Sequence, residues 1–345
     1  MPDHSHNLPA ATTRPRATLR RALFVTGAFA LAACAAVAVA LAAGSVPIDA
    51  ITIVRALTGE GTDTAVTIVR ELRLPRALAA FAVGGLLAYA GALLQVLLRN
   101  PLADPYVLGI SGGAAVAALS AMLAGAAALV MPAAFGGALA STLIVFGLAR
   151  AGSGETPWSA TRLLLTGIVV AAGWGALIAL LLSIAPDAQV KGMLFWLIGD
   201  LSTASAPLLP WVVLALSLVA GMVLARDLNV LSRGEDLAST LGVAVPRVTL
   251  AMHALAALAT AAAVTVAGSI GFVGLIVPHA VRMFIGNDHR LLLPAAVLAG
   301  GTLLVLADTL ARTLVAPIQL PVGVVTALVG VPAFLFLLTR GGARG

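Results

Sequence analysis

Long stretches without charge alternate with short, polar, arginine-bearing connections. Residues 22–54 contain no Lys, Arg or Glu, and their only acid is Asp49. Within them the run from Ala22 to Ala43, closed by Gly44 and Pro47, is long enough for one membrane crossing of about 20 residues. A second apolar run follows Arg76 and stops at Arg99. Residues 105–149 carry no charge at all, too long a run for one crossing, and predict two helices with a turn around Gly125 to Pro132. Residues 163–186 predict a fifth span and 201–225 a sixth. The uncharged run 248–281 is long for one helix and short for two. Gly268-Ser269-Ile270-Gly271 predicts a break in it, with a full helix before and a shorter one running on towards Gly286. Runs at 291–307 and 321–339 bring the total to ten.

Composition turns this pattern into a fold class. Of 345 residues, 61% are hydrophobic and 10% charged, against about 25% charged in ordinary soluble domains. Mean hydropathy is +1.07. A soluble globular protein and a disordered chain are both excluded. The expectation is an all-α integral membrane protein. Its single ten-span domain covers 22–340, between an unstructured cytoplasmic tail at 1–21 and a second tail at 341–345. Abundant Ala and Gly imply close helix packing.

The net charge of +6 does not point to nucleic acid, because the cations form no cluster interleaved with aromatics. They sort instead by side. With both termini inside, Arg55, Arg70, Arg73, Arg76, Lys191 and Arg312 lie outside and the other fourteen cations inside, as the positive-inside bias requires. Leu31-Ala32-Ala33-Cys34 resembles a lipoprotein cleavage box, but the apolar run continues to Ala43, which favours an uncleaved first span. The lone cysteine, Cys34, excludes an internal disulfide.

Catalytic chemistry is hard to find. There is no GxxxxGK[ST], no HExxH and no paired-carboxylate site, so neither an enzyme nor a bound cofactor or metal is expected. His253 and His279 read as packing or hydrogen-bonding residues ahead of metal ligands. Asp308 is the one clear acid within a span, and Arg312, four residues on, can pair with it. That scarcity of acids argues against an ion-coupled secondary carrier, the rival class.

Three segments stand apart. Arg73-Leu74-Pro75-Arg76 places cations on the outside, with Pro75 marking a helix start. Residues 99–105, RNPLADP, form a cytoplasmic turn before the flexible Gly109-Ile110-Ser111-Gly112-Gly113. Residues 227–247 are the longest polar insertion. There Ser232-Arg233-Gly234-Glu235-Asp236 opens a short helix that Gly242 closes, a surface suited to docking.

These segments, in order, resemble the permease subunits of binding-protein-dependent ABC importers for iron chelates, haem and cobalamin. The resemblance rests on RLPR at 73–76, RNPLADP at 99–105, LGISGGA at 108–114, RLLLTG at 162–167, SRGEDLASTLGV at 232–243, GSIGFVGLIVPHAVR at 268–282, LADTLAR at 306–312 and LPVGVVTALVGVPAF at 320–334. It implies a homodimer in the bacterial inner membrane with two cytoplasmic ATPase subunits, which carry the ATP and Mg, and a periplasmic substrate-binding protein. Arg73, Arg76 and Arg312 match the family's positions for docking the binding protein. Arg233, Gly234, Glu235, Asp236, Leu237, Ala238, Leu241 and Gly242 fall where the family couples to its ATPase. Phe195, Trp196 and Asp200 lie where an external gate or ligand contact is expected. The implied cargo is an iron siderophore first, then haem or cobalamin.

Overall fold

Helices form where the apolar runs predict them, with additions between. The computed structural model describes residues 19–44, 46–151, 160–202, 204 and 208–342. The expected tails, apart from the helical residues 19–21 and 341–342, lie outside the described residues. In order come α1 (Leu19–Ala42), α2 (Ala50–Thr58), α3 (Thr64–Thr67), a π turn at Ile68–Arg73, α4 (Leu74–Leu97), a 3-10 turn at Pro105–Leu108, α5 (Ile110–Leu123) and α6 (Val130–Ala151). Then follow α7 (Ala160–Ile184), α8 (Asp187–Ile198), α9 (Leu208–Leu231), α10 (Glu235–Thr240), α11 (Val245–Ala267), α12 (Val273–Ile285), α13 (His289–Thr313) and α14 (Val322–Gly342). Among the described residues, seven helices are long and apolar enough to cross a membrane, and α5, α12 and α14 are shorter apolar helices.

The centre of the bundle is α4, which packs on α9, α11, α12 and α13 and is buried along nearly its whole length. Glycine makes these approaches possible. A Cβ on Gly84 would stand 2.2 Å from the Gly300 carbonyl oxygen of α13, and one on Gly91 would stand 1.9 Å from the Gly274 carbonyl oxygen of α12. Without aqueous solvent between helices, such backbone contact is the main source of packing energy.

Two of the shorter apolar helices begin inside the bundle. At ~1.5 Å per residue, α5 and α12 each span only ~20 Å, short of a bilayer core of ~30 Å. After α4 the chain turns back, so that Pro105 packs on Gly274 beside Leu87, about ten residues and ~15 Å up from the end of α4. The predicted turn at 99–105 therefore starts at one end of the bundle and finishes inside it. Irregular backbone at this depth needs internal partners. The Tyr106 hydroxyl accepts from the Ile270 N–H at 2.9 Å, joining this turn to the break at 268–272, and Ser141 Oγ donates to the Gly109 carbonyl at 2.8 Å.

Other expectations shift. The sixth span, set at 201–225, runs instead over Leu208–Leu231 and is preceded by the separate helix α8. The helix of the second span does not start at Pro75. Its helical run begins at Thr64. Pro75 has no N–H for the Glu71 carbonyl, and its ring crowds that carbonyl. The register widens there into the π turn, where the Leu74 N–H reaches back to the Val69 carbonyl.

Candidate functional site

Three arginines gather at the end of the bundle where α1 finishes. Arg73, on the π turn, donates through Nη1 to the Leu41 and Ala42 carbonyls at 2.7 and 2.8 Å, and through Nη2 to Val46. It thus satisfies the open carbonyls at the C-terminus of α1, where a cation is also favoured by the helix dipole. Gly44 makes room for it: a Cβ there would lie 2.5 Å from Arg73 Nη2. From α4, Arg76 reaches Asp308 of α13 with Nε at 3.0 Å and Nη2 at 2.8 Å, and its Nη1 donates to Gln319 Oε1 at 2.8 Å. Arg312 Nε lies 3.3 Å from Asp308 Oδ2, an ion pair off hydrogen-bond angle, and its Nη2 donates to the Ala40 carbonyl at 3.1 Å.

The three predicted docking arginines therefore sit together, Arg76 and Arg312 on the Asp308 carboxylate and Arg73 on the end of α1. They are not free on the surface: Arg73 is 5% and Arg76 8% exposed. They remain reachable, because Arg73, Arg76, Arg312 and Gln319 line a cavity of about 200 Å³ that also touches Gly44, Ile68 and Leu72. Three cations against Asp308 leave this cluster, taken by itself, two positive charges in excess.

Phe195 and Trp196 are on α8, half-buried where that helix meets the break between α11 and α12. A Cβ on Gly268 would stand 2.0 Å from the Trp196 carbonyl oxygen, and one on Gly323 would stand 1.7 Å from that of Ile198. Gly268 has φ +65°, and Phe272 holds φ +70°, a conformation few side chains adopt. Asp200 is turned to local work. Its backbone N–H donates to the Ala267 carbonyl, and its carboxylate accepts from the Ser202 N–H and hydroxyl.

At the opposite end of α4 lies α10. Gly234 (φ +129°) leads into it and Gly242 (φ +82°) closes it, both outside the range comfortable for other residues. Glu235 and Asp236 occupy its first turn, as predicted. Ala238 is fully buried against the bundle, whereas Leu237 and Leu241 are 44% and 63% exposed, four residues apart on one face. Arg99 Nη2 pairs with Glu235 Oε1 at 2.7 Å, tying the turn after α4 to the start of α10. Arg233 and Gly234 also line a cavity of about 400 Å³ with Gln95, Arg282 and His289.

Among the described residues no group of His, Cys, Asp and Glu is arranged to hold a metal. His253 is buried and packs edge-on against Phe146, with ring centroids 5.0 Å apart, in keeping with its expected packing role. Sequence reading missed the Arg76–Asp308 pair, Gln319 and the Asn229–Asp288–His289 cluster, whose members only the fold brings together.

The model of the FecCD transport family matches residues 31–340. The cobalamin import system permease protein BtuC of Halobacterium salinarum is 44% identical over 309 residues, covering 87% of this chain and 82% of that protein. The hemin transport system permease protein HmuU of Yersinia pestis is 44% identical over 315 residues, 88% of this chain and 92% of that protein. The Fe(3+) dicitrate transport system permease protein FecC of Escherichia coli is 40% identical over 309 residues, with coverages of 86% and 91%. A solved structure described as an inward-facing metal-chelate type ABC transporter is similar with a TM-score of 0.82 at 29% identity, covering 92% of this chain and 99% of that one.

Proposed function

This chain belongs to the FecCD transport family, and on that premise we propose that it is the membrane-spanning permease of an ATP-driven importer of a metal chelate. The three shorter apolar helices complete a ten-crossing bundle with both termini in the cytoplasm, and two copies form the pathway in the bacterial inner membrane. The α10 end then faces the cytoplasm and two ATPase subunits. The arginine cavity faces the periplasm and a substrate-binding protein. Nucleotide binding closes the ATPases, their motion enters the bundle through residues 232–242, and the pathway opens alternately to the two sides. The chain itself performs no covalent step.

The observation that carries this reading is the placement of two unlike surfaces at opposite ends of α4. One is a cavity with excess positive charge, fitted to an acidic partner. The other is a short helix with an exposed Leu237–Leu241 face, fitted to an apolar groove. Relatives of comparable identity are named for cobalamin, hemin and iron dicitrate, so the cargo is a bulky metal chelate. An iron siderophore is the first choice, with haem and cobalamin next.

Against the ion-coupled carrier stands the use of Asp308. Its carboxylate is taken up by two guanidiniums at 2.8 and 3.3 Å, which tie α4 to α13 and give it a structural use in place of a carried ion. Reconstitution decides between the two. In liposomes, uptake of labelled chelate is expected only when ATPase, ATP and loaded binding protein are all supplied. Accumulation by the chain alone, driven by a proton or sodium gradient, would refute the importer.

A further inference from the structure

The cavity beneath the end of α4 has a charge balance that the transport reading leaves unexplained. Its wall holds three guanidiniums, those of Arg99, Arg233 and Arg282, and no carboxylate. Arg99 is matched by Glu235. The half-buried Arg282 finds only the neutral Gln95 amide, 2.9 Å from Nη1, and the Arg233 guanidinium has no acceptor among the described residues. Two positive charges are therefore uncompensated, one of them partly withdrawn from water, a costly arrangement without a counter-ion.

His289, on the same wall, is 1% exposed. Its protonation pattern follows from its neighbours. Asn229 Nδ2 donates to Asp288 at 2.8 Å, which fixes Asn229 Oδ1 as an acceptor. That oxygen receives the His289 N–H at 2.8 Å and lies 2.7 Å from His289 Nδ1, so Nδ1 carries the proton. Nε2 is then a bare lone pair, buried and without a partner.

We propose that this cavity is a binding site for a protonated phosphate-type oxyanion, with inorganic hydrogen phosphate as the fitting ligand. A dianion matches the two uncompensated guanidiniums, which bind phosphate oxygens through their forked N–H groups. Nε2, which has almost no accessible surface of its own, is uncovered by a small shift at the start of α13 on binding, and the remaining P–O–H then supplies the one donor it lacks. A carboxylate brings a single charge and no donor, and the phosphodiester of a lipid headgroup has no P–O–H. The bound anion would bridge Arg233, at the entry to α10, and Arg282 of α12, holding the two elements together. The site stands on these residues and does not rest on the transport reading. If that reading also holds, the cavity opens on the side where ATP hydrolysis releases phosphate.

The test uses the full chain alone, in nanodiscs of zwitterionic lipid, titrated calorimetrically with inorganic phosphate at pH 7. One saturable site per chain is expected. Sulfate, a dianion of similar shape without an O–H at that pH, should bind about tenfold more weakly. Arg233→Gln should weaken phosphate about tenfold with helical content unchanged, and Arg226→Gln, away from the cavity, should not. In discs doped with cardiolipin the phosphate titration should be unaltered. The proposal is overturned by absent saturation, by sulfate binding as tightly as phosphate, by Arg233→Gln binding like the parent, or by cardiolipin displacing phosphate, which would make this a lipid site.

Discussion

Asp308 shows how one side chain can hold several elements in place. Its carboxylate is 2% exposed and meets Arg76 from α4 and Arg312 from its own helix. Through those arginines it is linked to Gln319 and to the carbonyl end of α1. Removing one member of a buried ionic cluster leaves the others charged and unsolvated, typically at ~3–5 kcal/mol. Asp308→Asn should therefore lower the thermal unfolding temperature in detergent markedly, while the uptake that survives still requires ATP. An unchanged melting point would mean the cluster is not structural, and loss of ion coupling with stability intact would revive the carrier. The i,i+4 relation of Asp308 and Arg312 was readable from the sequence because both lie on one helix face. The stronger partner, Arg76, is 232 positions away, and no local rule could pair them.

Among the helices, legibility follows what marks an end. Gly268 to Gly271 gave the break between α11 and α12 because glycine there takes a backbone conformation that ends a helix. The sixth span runs past its expected end because charge does not bound it. Arg226 and Asp227 lie within α9, whose last turns continue past the apolar stretch. Charge marks where a helix leaves the bilayer, not where it stops being helical. The helix α10 was found from its acidic first turn and flanking glycines, features independent of burial. Its test is equally local. Leu237→Asp with Leu241→Asp alters only exposed positions, so the melting temperature should stay within about 1–2 °C. ATP hydrolysis by the attached ATPase should no longer drive uptake. Transport at the parental rate in that variant would remove α10 from the coupling path.

The re-entrant turn at 98–109 lay beyond sequence reading, since its polar residues look like any solvated loop. Only the Pro105–Gly274 contact and the Tyr106–Ile270 bond reveal that it returns into the bundle. The sequence reading sets three cations outside but is silent on their burial, and under the proposed docking role that burial alters how a partner must bind. On that proposal a partner cannot simply cover Arg73, Arg76 and Arg312; an acidic side chain would have to enter the cavity they line. Long-range attraction still comes from the two excess charges. Such attraction acts mainly on the association rate and fades as the Debye length shrinks from ~10 Å at ~0.1 M salt to ~3 Å at ~1 M. Arg312→Gln takes away one guanidinium while Arg76 continues to hold Asp308, so the variant should lose less stability than Asp308→Asn and stay folded. Association of the binding protein, measured by surface plasmon resonance on reconstituted permease, should slow several-fold at low salt. Parent and variant should converge as salt rises. Equal rates at low salt, with the variant still folded, would move the docking surface elsewhere on this end, where Arg70 is the exposed cation nearest the cluster in sequence.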